Sequence, residues 1–209
     1  MSTKWVILDV MGVIFEVGDD TNDLLVPYIQ KRNDMISAEK INEMYLKASL
    51  GEISSFDFWN ELGFGSKYPD IERDYLDTCL RIDPEFVEVT KTLTQNYSLA
   101  ILSNDVKEWS NYLRAKFDLN RLFKSIIISG EVGYQKPDKR IYNILLDRIQ
   151  SSPSGCVFVD DRAKNLRPAS EIGIKTIKFV REASNDDISA DFEISSFAEL
   201  PQAIERLFE

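Results

Sequence analysis

Apolar and polar positions along this chain follow two rhythms that take turns. Short, nearly unbroken apolar runs lie within residues 4–9, 99–102, 124–129, 156–160 and 174–179, with a shorter one at 192–194. Such runs, rich in Val, Ile and Leu, predict strands covered on both faces, the environment of a parallel sheet. Between them the period lengthens to that of amphipathic helices. Helices are predicted over about 84–96, with Asp83 as N-cap and Pro84 at the first helical position, and over 106–117. Two more are predicted over 137–149, with Ile141, Ile144, Leu145 and Ile149 on one face, and over 164–172, closed by Gly173. Ser196 and Glu199 have the spacing of a capping box for a last helix ending near residue 208. Strands that alternate with helices predict an α/β fold, a parallel sheet with helices on both faces.

Residues 15–81 break this rhythm. They hold no convincing strand and read as amphipathic helices over 23–31, 38–48, 55–62 and 70–80. Ser37 and Ser55 are the expected N-caps, and Gly51, Gly63 and Gly65 punctuate the segment. The expected organisation is a catalytic core of residues 1–14 and 82–209 with a helical cap of residues 15–81. A cap inserted after the first strand would lie over the carboxyl edge of the sheet, where it excludes water and reads the substrate's leaving group. Phe56, Phe58, Trp59 and Tyr45 are expected to form its core.

Composition narrows the chemistry. With 209 residues, 44% of them hydrophobic, the chain is long enough for one core and a small second module. It holds no apolar run of about 18 residues, so no membrane span is expected. The first residues lack a basic start and a small-residue cleavage site, and a cytoplasmic location is the expectation. Cys79 and Cys156 form no Cys-x-x-Cys, and Cys156 sits in an apolar run, so reduced thiols are expected. A net charge of −10 argues against nucleic-acid binding, which needs a basic face. There is no histidine, which excludes Ser-His-Asp and Cys-His catalysis and histidine-based zinc sites. Any metal held mainly by side chains is a hard one bound by oxygen, and any general acid or base is Asp, Glu, Lys, Tyr or Cys.

Four of the apolar runs end on residues with useful chemistry: ILDVMGV on Asp9, AILSND on Ser103 and Asn104, IIISGEVGYQKP on Lys136, and VFVDDRAKN on Asp160 and Asp161. The carboxyl edge of a parallel sheet is where open α/β folds bind ligands. The set brings three carboxylates, a hydroxyl, an amide and an ammonium to that edge, a combination suited to Mg²⁺ and phosphate, with an aspartate able to act as nucleophile. Ser103 and Asn104 also suit the N-cap of the helix beginning near Val106, and a hydroxyl at a helix start serves both roles. Lys136 is pinned in direction by Pro137. Asp160 and Asp161 repel each other unless a cation lies between them. Asn165 is expected to brace this last motif.

The ordered set resembles the haloacid dehalogenase (HAD) superfamily, in the subfamily with a helical cap after the first motif. The resemblance spans essentially the whole chain, and GEISSFDFWNEL resembles cap segments of that subfamily. It implies a Rossmann-like core with the active site beneath the cap. Asp9 would be the nucleophile, Ser103 and Lys136 the phosphate binders, and Asp160 and Asp161 the acids that hold Mg²⁺. A small phosphorylated metabolite would be the substrate.

One position departs from the pattern. Phosphatases of the family carry Asp-x-Asp-Gly in the first motif, whereas this chain reads Asp9-Val10-Met11-Gly12. The family's second acid ligates Mg²⁺ through its backbone carbonyl and exchanges protons through its side chain. Met11 keeps the carbonyl, but a thioether transfers no proton. Loss of a general acid/base costs roughly 10²–10⁴ in rate when the leaving group is poor. Glu16, Asp19, Asp20 and Asp105 are the candidate substitutes. Three readings follow: a Mg²⁺-dependent phosphohydrolase acting through an aspartyl-phosphate on Asp9; a 2-haloacid dehalogenase, because halide departs without a proton; or a degenerate member that binds a phosphorylated ligand or a protein.

Overall fold

The computed structural model describes residues 3–181 and 190–209. Six strands form one sheet: β1 (Trp5–Leu8), β2 (Ser98–Ser103), β3 (Ser125–Ile128), β4 (Cys156–Asp160), β5 (Lys175–Phe179) and β6 (Phe192–Ile194). Their spatial order is β3-β2-β1-β4-β5-β6, and every neighbouring pair is parallel. The chain builds outward from β1 to β3, then returns to the other side of β1 with β4. The sheet therefore reverses direction beside β1, the switch point at which such sheets open a crevice.

The alternation of side chains along each strand divides the core in two. Val6 and Leu8 join one buried cluster, and Trp5 and Ile7 join the other. Helices α5 (Phe86–Leu93), α6 (Lys107–Lys116) and α10 (Leu200–Phe208) supply Phe86, Leu113 and Ile204 to the first cluster. Helices α8 (Lys139–Ile149) and α9 (Ala163–Glu171) supply Ile141, Leu145 and Leu166 to the second. A short helix, α7 (Ser129–Val132), follows β3. The fold is thus the Rossmann-like α/β sheet with helices on both faces that the pattern predicts.

Between β1 and β2 the chain is helical throughout its regular elements. After a π turn at Thr21–Leu25 come α1 (Val26–Gln30), α2 (Ala38–Ser49), α3 (Ser55–Glu61) and α4 (Asp70–Cys79). Their aromatic residues do not form a separate core. Phe58, Trp59 and Tyr75 belong to the same cluster as Val6, Leu8 and Trp109 of α6. Trp109 is edge-on to Phe58, with centroids 5.5 Å apart, and lies 5.4 Å from Tyr75. Phe56, expected among this group, is exposed, with its ring edge-on to Tyr68.

Several caps differ from expectation. Ser54, not Ser55, caps α3: its side chain accepts from the Asp57 amide, and Asp57 returns the bond to the Ser54 amide. Both serines suit the cap, and the acid three residues after Ser54 decides between them. Asp83 and Pro84 precede α5 rather than start it: Asp83 Oδ1 accepts from the Glu85 amide at 2.8 Å in the turn that leads into the helix, and its Oδ2 accepts from Arg181 at 2.6 Å. Asp138, not Pro137, sets the start of α8 by accepting from the Arg140 amide. Ser103 and Asn104 do not cap α6, whose N-cap is Val106. No helix among the described residues is long and apolar enough to cross a membrane.

Candidate active site

Asp9 follows β1 directly. Its amide extends the ladder to the Val159 carbonyl at 2.9 Å, which fixes its backbone against β4. The chain then makes a tight loop, closed by Phe15 N–H to the Val10 carbonyl and Gly12 N–H to the Val17 carbonyl, both at 2.9 Å. Arg181, just past β5, clasps this loop by donating to the Gly12 and Val13 carbonyls. Gly12 takes φ +77°, and a Cβ there or at Gly18 would collide with the Asp161 carboxylate. Glycine is required at residue 12 for its backbone and at both positions for the close approach.

Lys136 arrives from the loop between α7 and α8 and lies at the centre. Its ammonium sits 2.8 Å from Asp9 Oδ1 and 2.7 Å from Asp160 Oδ2, with the side chain almost wholly buried. Asn104, at the end of β2, aims it: Asn104 Oδ1 accepts from the Lys136 amide at 2.8 Å, and Asn104 Nδ2 donates to the Lys136 carbonyl at 2.9 Å. Asp160 ends β4 and accepts from the Arg162 amide and from Asn165 Nδ2. Asn165 is the brace expected of it. Asp161 keeps a buried Oδ1 with no hydrogen-bond partner. One oxygen from each of Asp9, Asp160 and Asp161 can be chosen so that all lie within 4.8 Å of one another.

A cavity of about 450 Å³ opens above this group. Asp9, Met11, Asn104, Lys136 and Arg162 line its sheet side, and Asp20, Asn22, Asn42, Tyr45, Leu46 and Ser49 line it from the helical insert. Asp160 and Asp161 lie outside its lining, as does Ser103, whose buried hydroxyl has no hydrogen-bond partner. Tyr45, expected in the core of the insert, lines the cavity while its ring leans on Trp109 at 5.9 Å.

A family model for haloacid dehalogenase-like hydrolases matches residues 3–173. The chain belongs to that family. This HAD-like hydrolase is 30% identical over 146 residues to a glyceraldehyde 3-phosphate phosphatase of Methanopyrus kandleri, covering 64% of this chain and 62% of the relative. It is 30% identical over 114 residues to (S)-2-haloacid dehalogenase 1 of a Pseudomonas species, covering 53% and 50%. The chain thus spans less than two thirds of the length of these curated relatives. Among solved structures, a HAD phosphatase from Thermococcus onnurineus superposes with TM-score 0.73 at 22% identity, covering 97% of this chain and 98% of that one. A HAD family enzyme from Bacteroides thetaiotaomicron, in complex with magnesium and inorganic phosphate, superposes with TM-score 0.73 at 17% identity, covering 88% and 98%.

The electrostatics of the HAD-like site are those of surplus negative charge. Burial pushes the Asp9 carboxyl up to about 8, against the pull of the Lys136 ammonium, and the charges of Asp160 and Asp161 add to the rise. Asp161 rises to about 6 through burial and then the Asp160 charge. Burial works to lower Lys136, but Asp160 and Asp9 outweigh it and hold the ammonium above the usual lysine range. One buried ammonium bridges two of the three clustered carboxylates, and one oxygen of the third, Asp161, is unsatisfied. That donor set suits a hard divalent cation.

Arg162 and Arg181 join the site, although neither is among the site residues expected from the four strand-end motifs. Arg162 follows the Asp160-Asp161 pair, lines the cavity, and donates to the Gly18 carbonyl. Its neighbourhood to the pair was the available signal. Nothing in sequence links Arg181 to the loop it clasps.

Proposed function

We propose that this HAD-like hydrolase is a Mg²⁺-dependent phosphomonoesterase that acts through Asp9 on a small phosphorylated metabolite. The observation that carries the reading is the buried Lys136 bridging Asp9 and Asp160 beside an Asp161 with an unsatisfied oxygen. Names of relatives support it: a phosphatase among the curated matches, and a magnesium and phosphate complex among the structural ones. A cavity of about 450 Å³ suits a small metabolite.

In this reading residues 15–81 are a lid over a core of residues 1–14 and 82–209. Asp9 Oδ1 is held by Lys136 and by the Val10 amide at 2.7 Å, which leaves Oδ2 to attack phosphorus in line. Lys136 then meets the equatorial oxygens of the transferring group, kept in place by Asn104 and Asp160. Asn104 serves by orienting Lys136, and its presence in the cavity wall supports a role in binding substrate. Ser103, whose buried hydroxyl has no other hydrogen-bond partner, is the second phosphate binder of this reading. Asp9, the Met11 carbonyl, Asp160 and Asp161 would hold Mg²⁺, which would supply positive charge that offsets the carboxylates and the phosphate. The aspartyl-phosphate on Asp9 is then cleaved by water.

Hydrolysis of p-nitrophenyl phosphate tests this. The unmodified chain should release nitrophenol with Mg²⁺, and EDTA or Asp9→Asn should abolish release. A 2-haloacid dehalogenase is the second reading, favoured by apolar Met11 in the cavity wall and by the Pseudomonas relative. Chloride release from 2-chloropropionate without metal, and no phosphate-ester turnover, would replace the first reading with the second.

A further inference from the structure

Met11 lines the cavity beside Asp9 and has no proton to give. An alkoxide leaving group needs one. We propose that Asp20, which lines the same cavity from the helical insert, is the general acid and base of this site, in place of the residue that Met11 displaces. The inference rests on the phosphomonoesterase reading and extends it to a residue of the helical insert.

Elimination among the acids supports it. Glu16 is exposed and does not line the cavity. Asp19 lines it but is exposed, accepts two bonds from Asn22, and lies 3.8 Å from Arg162, so its oxygens are already engaged as acceptors. Asp105 is buried, accepts from the Val106 amide at 2.7 Å, and lies outside the cavity lining. Asp20 alone among these is both in the cavity wall and buried, with 5% of its surface exposed. No other side chain bonds its carboxyl among the described residues, so its proton is free to move toward a ligand.

The surroundings suit a proton donor near neutrality. Burial pushes Asp20 up to about 7; Arg162 pulls against this, and the charges of Asp19 and Asp161 add to it. Asp105 past β2, Tyr45 on α2 and Tyr75 on α4 complete the ionisable groups that face it. A catalytic acid works best with a proton affinity close to the operating pH.

The step balances as follows. Asp9 Oδ2 forms a bond to phosphorus while the bond from phosphorus to the ester oxygen breaks. The Asp20 proton passes to that oxygen, so an alcohol leaves. Water then attacks the aspartyl-phosphate and gives a proton to the Asp20 carboxylate, which releases hydrogen phosphate and restores both acids.

The test compares p-nitrophenyl phosphate with glycerol 3-phosphate under rapid quench with Mg²⁺, for the unmodified chain, Asp20→Asn and Asp20→Glu. The nitrophenolate leaves without a proton, and the glycerol oxygen does not. In Asp20→Asn the ratio of aryl to alkyl rates of phosphoenzyme formation should rise about 10²–10⁴-fold. Asp20→Glu should recover part of that loss. An unchanged ratio in Asp20→Asn, whether both rates fall together or neither falls, overturns the assignment. In the unmodified chain the same ratio should climb from about pH 6 to about pH 8.5 as the donor is lost, while changes common to both esters cancel. A flat ratio overturns the assignment even if Asp20→Asn fails to fold. If the unmodified chain turns over neither ester, the phosphomonoesterase reading fails, and the Asp20 role with it.

Discussion

Lys136 joins two carboxylates that would otherwise repel each other in a buried space, so its removal tests the site at the scale of a single residue. Lys136→Met leaves Asp9 and Asp160 unpaired, and breaking a buried pair in this way typically costs about 3–5 kcal/mol. The expected result is a urea midpoint lowered accordingly at pH 8 without metal, and a smaller loss at pH 5. The sign follows from Asp9, which is pushed up to about 8: at pH 5 it holds its proton, and the missing ammonium matters less. Equal losses at both pH values would show that Asp9 is not the group Lys136 neutralises. Asp9, Lys136, Asp160 and Asp161 were each legible in sequence because an apolar run ends at or shortly before each of them. Asp20 was legible only as one of four candidate acids. Its burial, at 5% exposure, arises only in the folded chain, and no local pattern encodes it.

At the scale of elements, the insert is joined to the core by a carboxylate between two indoles. Glu72 Oε2 on α4 accepts from Trp59 Nε1 on α3 at 3.0 Å and from Trp109 Nε1 on α6 at 2.8 Å. Burial raises the Glu72 carboxyl, and the Trp109 and Trp59 donors oppose the rise. Glu72→Ala leaves two buried donors without a partner, a loss of about 2–6 kcal/mol at roughly 1–3 per group. The raised proton affinity sets a direction as well. Folding favours protonated Glu72, so the parent should gain stability relative to Glu72→Gln as pH falls toward 4.5. Chemical denaturation from pH 7 to pH 4.5 measures it, and a widening deficit of the parent on acidification would be the wrong sign. The existence and type of these helices were readable from periodicity. Their boundaries slipped where two residues suited the same cap, as at Ser54 and Ser55. The indole clamp was unreadable, because its three members are brought together by tertiary packing.

The whole molecule carries a net charge of −10, and part of the negative charge is concentrated at one sheet edge. A cation bound there stabilises the folded chain by mass action. At about 100 times its dissociation constant the gain is about 2.7 kcal/mol, or about 5–10 °C in melting temperature for a chain of this size. Mg²⁺ should give a shift of that order at pH 8. It should give a smaller one at pH 5, where Asp9 and Asp161, raised to about 8 and about 6, hold protons that compete with metal. Asp161→Asn should remove most of the shift, as scanning calorimetry would show. The sequence by itself determined the class of fold, the strand–helix alternation, the exclusion of histidine chemistry and the ordered set of strand-end residues, because each depends on residue type and local period. Tertiary structure alone decided that β1 lies between β2 and β4, that Lys136 closes on Asp9 and Asp160, and that Asp20, unlike the exposed Asp19, is buried in the cavity wall. Those outcomes depend on which segments share a buried volume, and burial is a property of the folded chain.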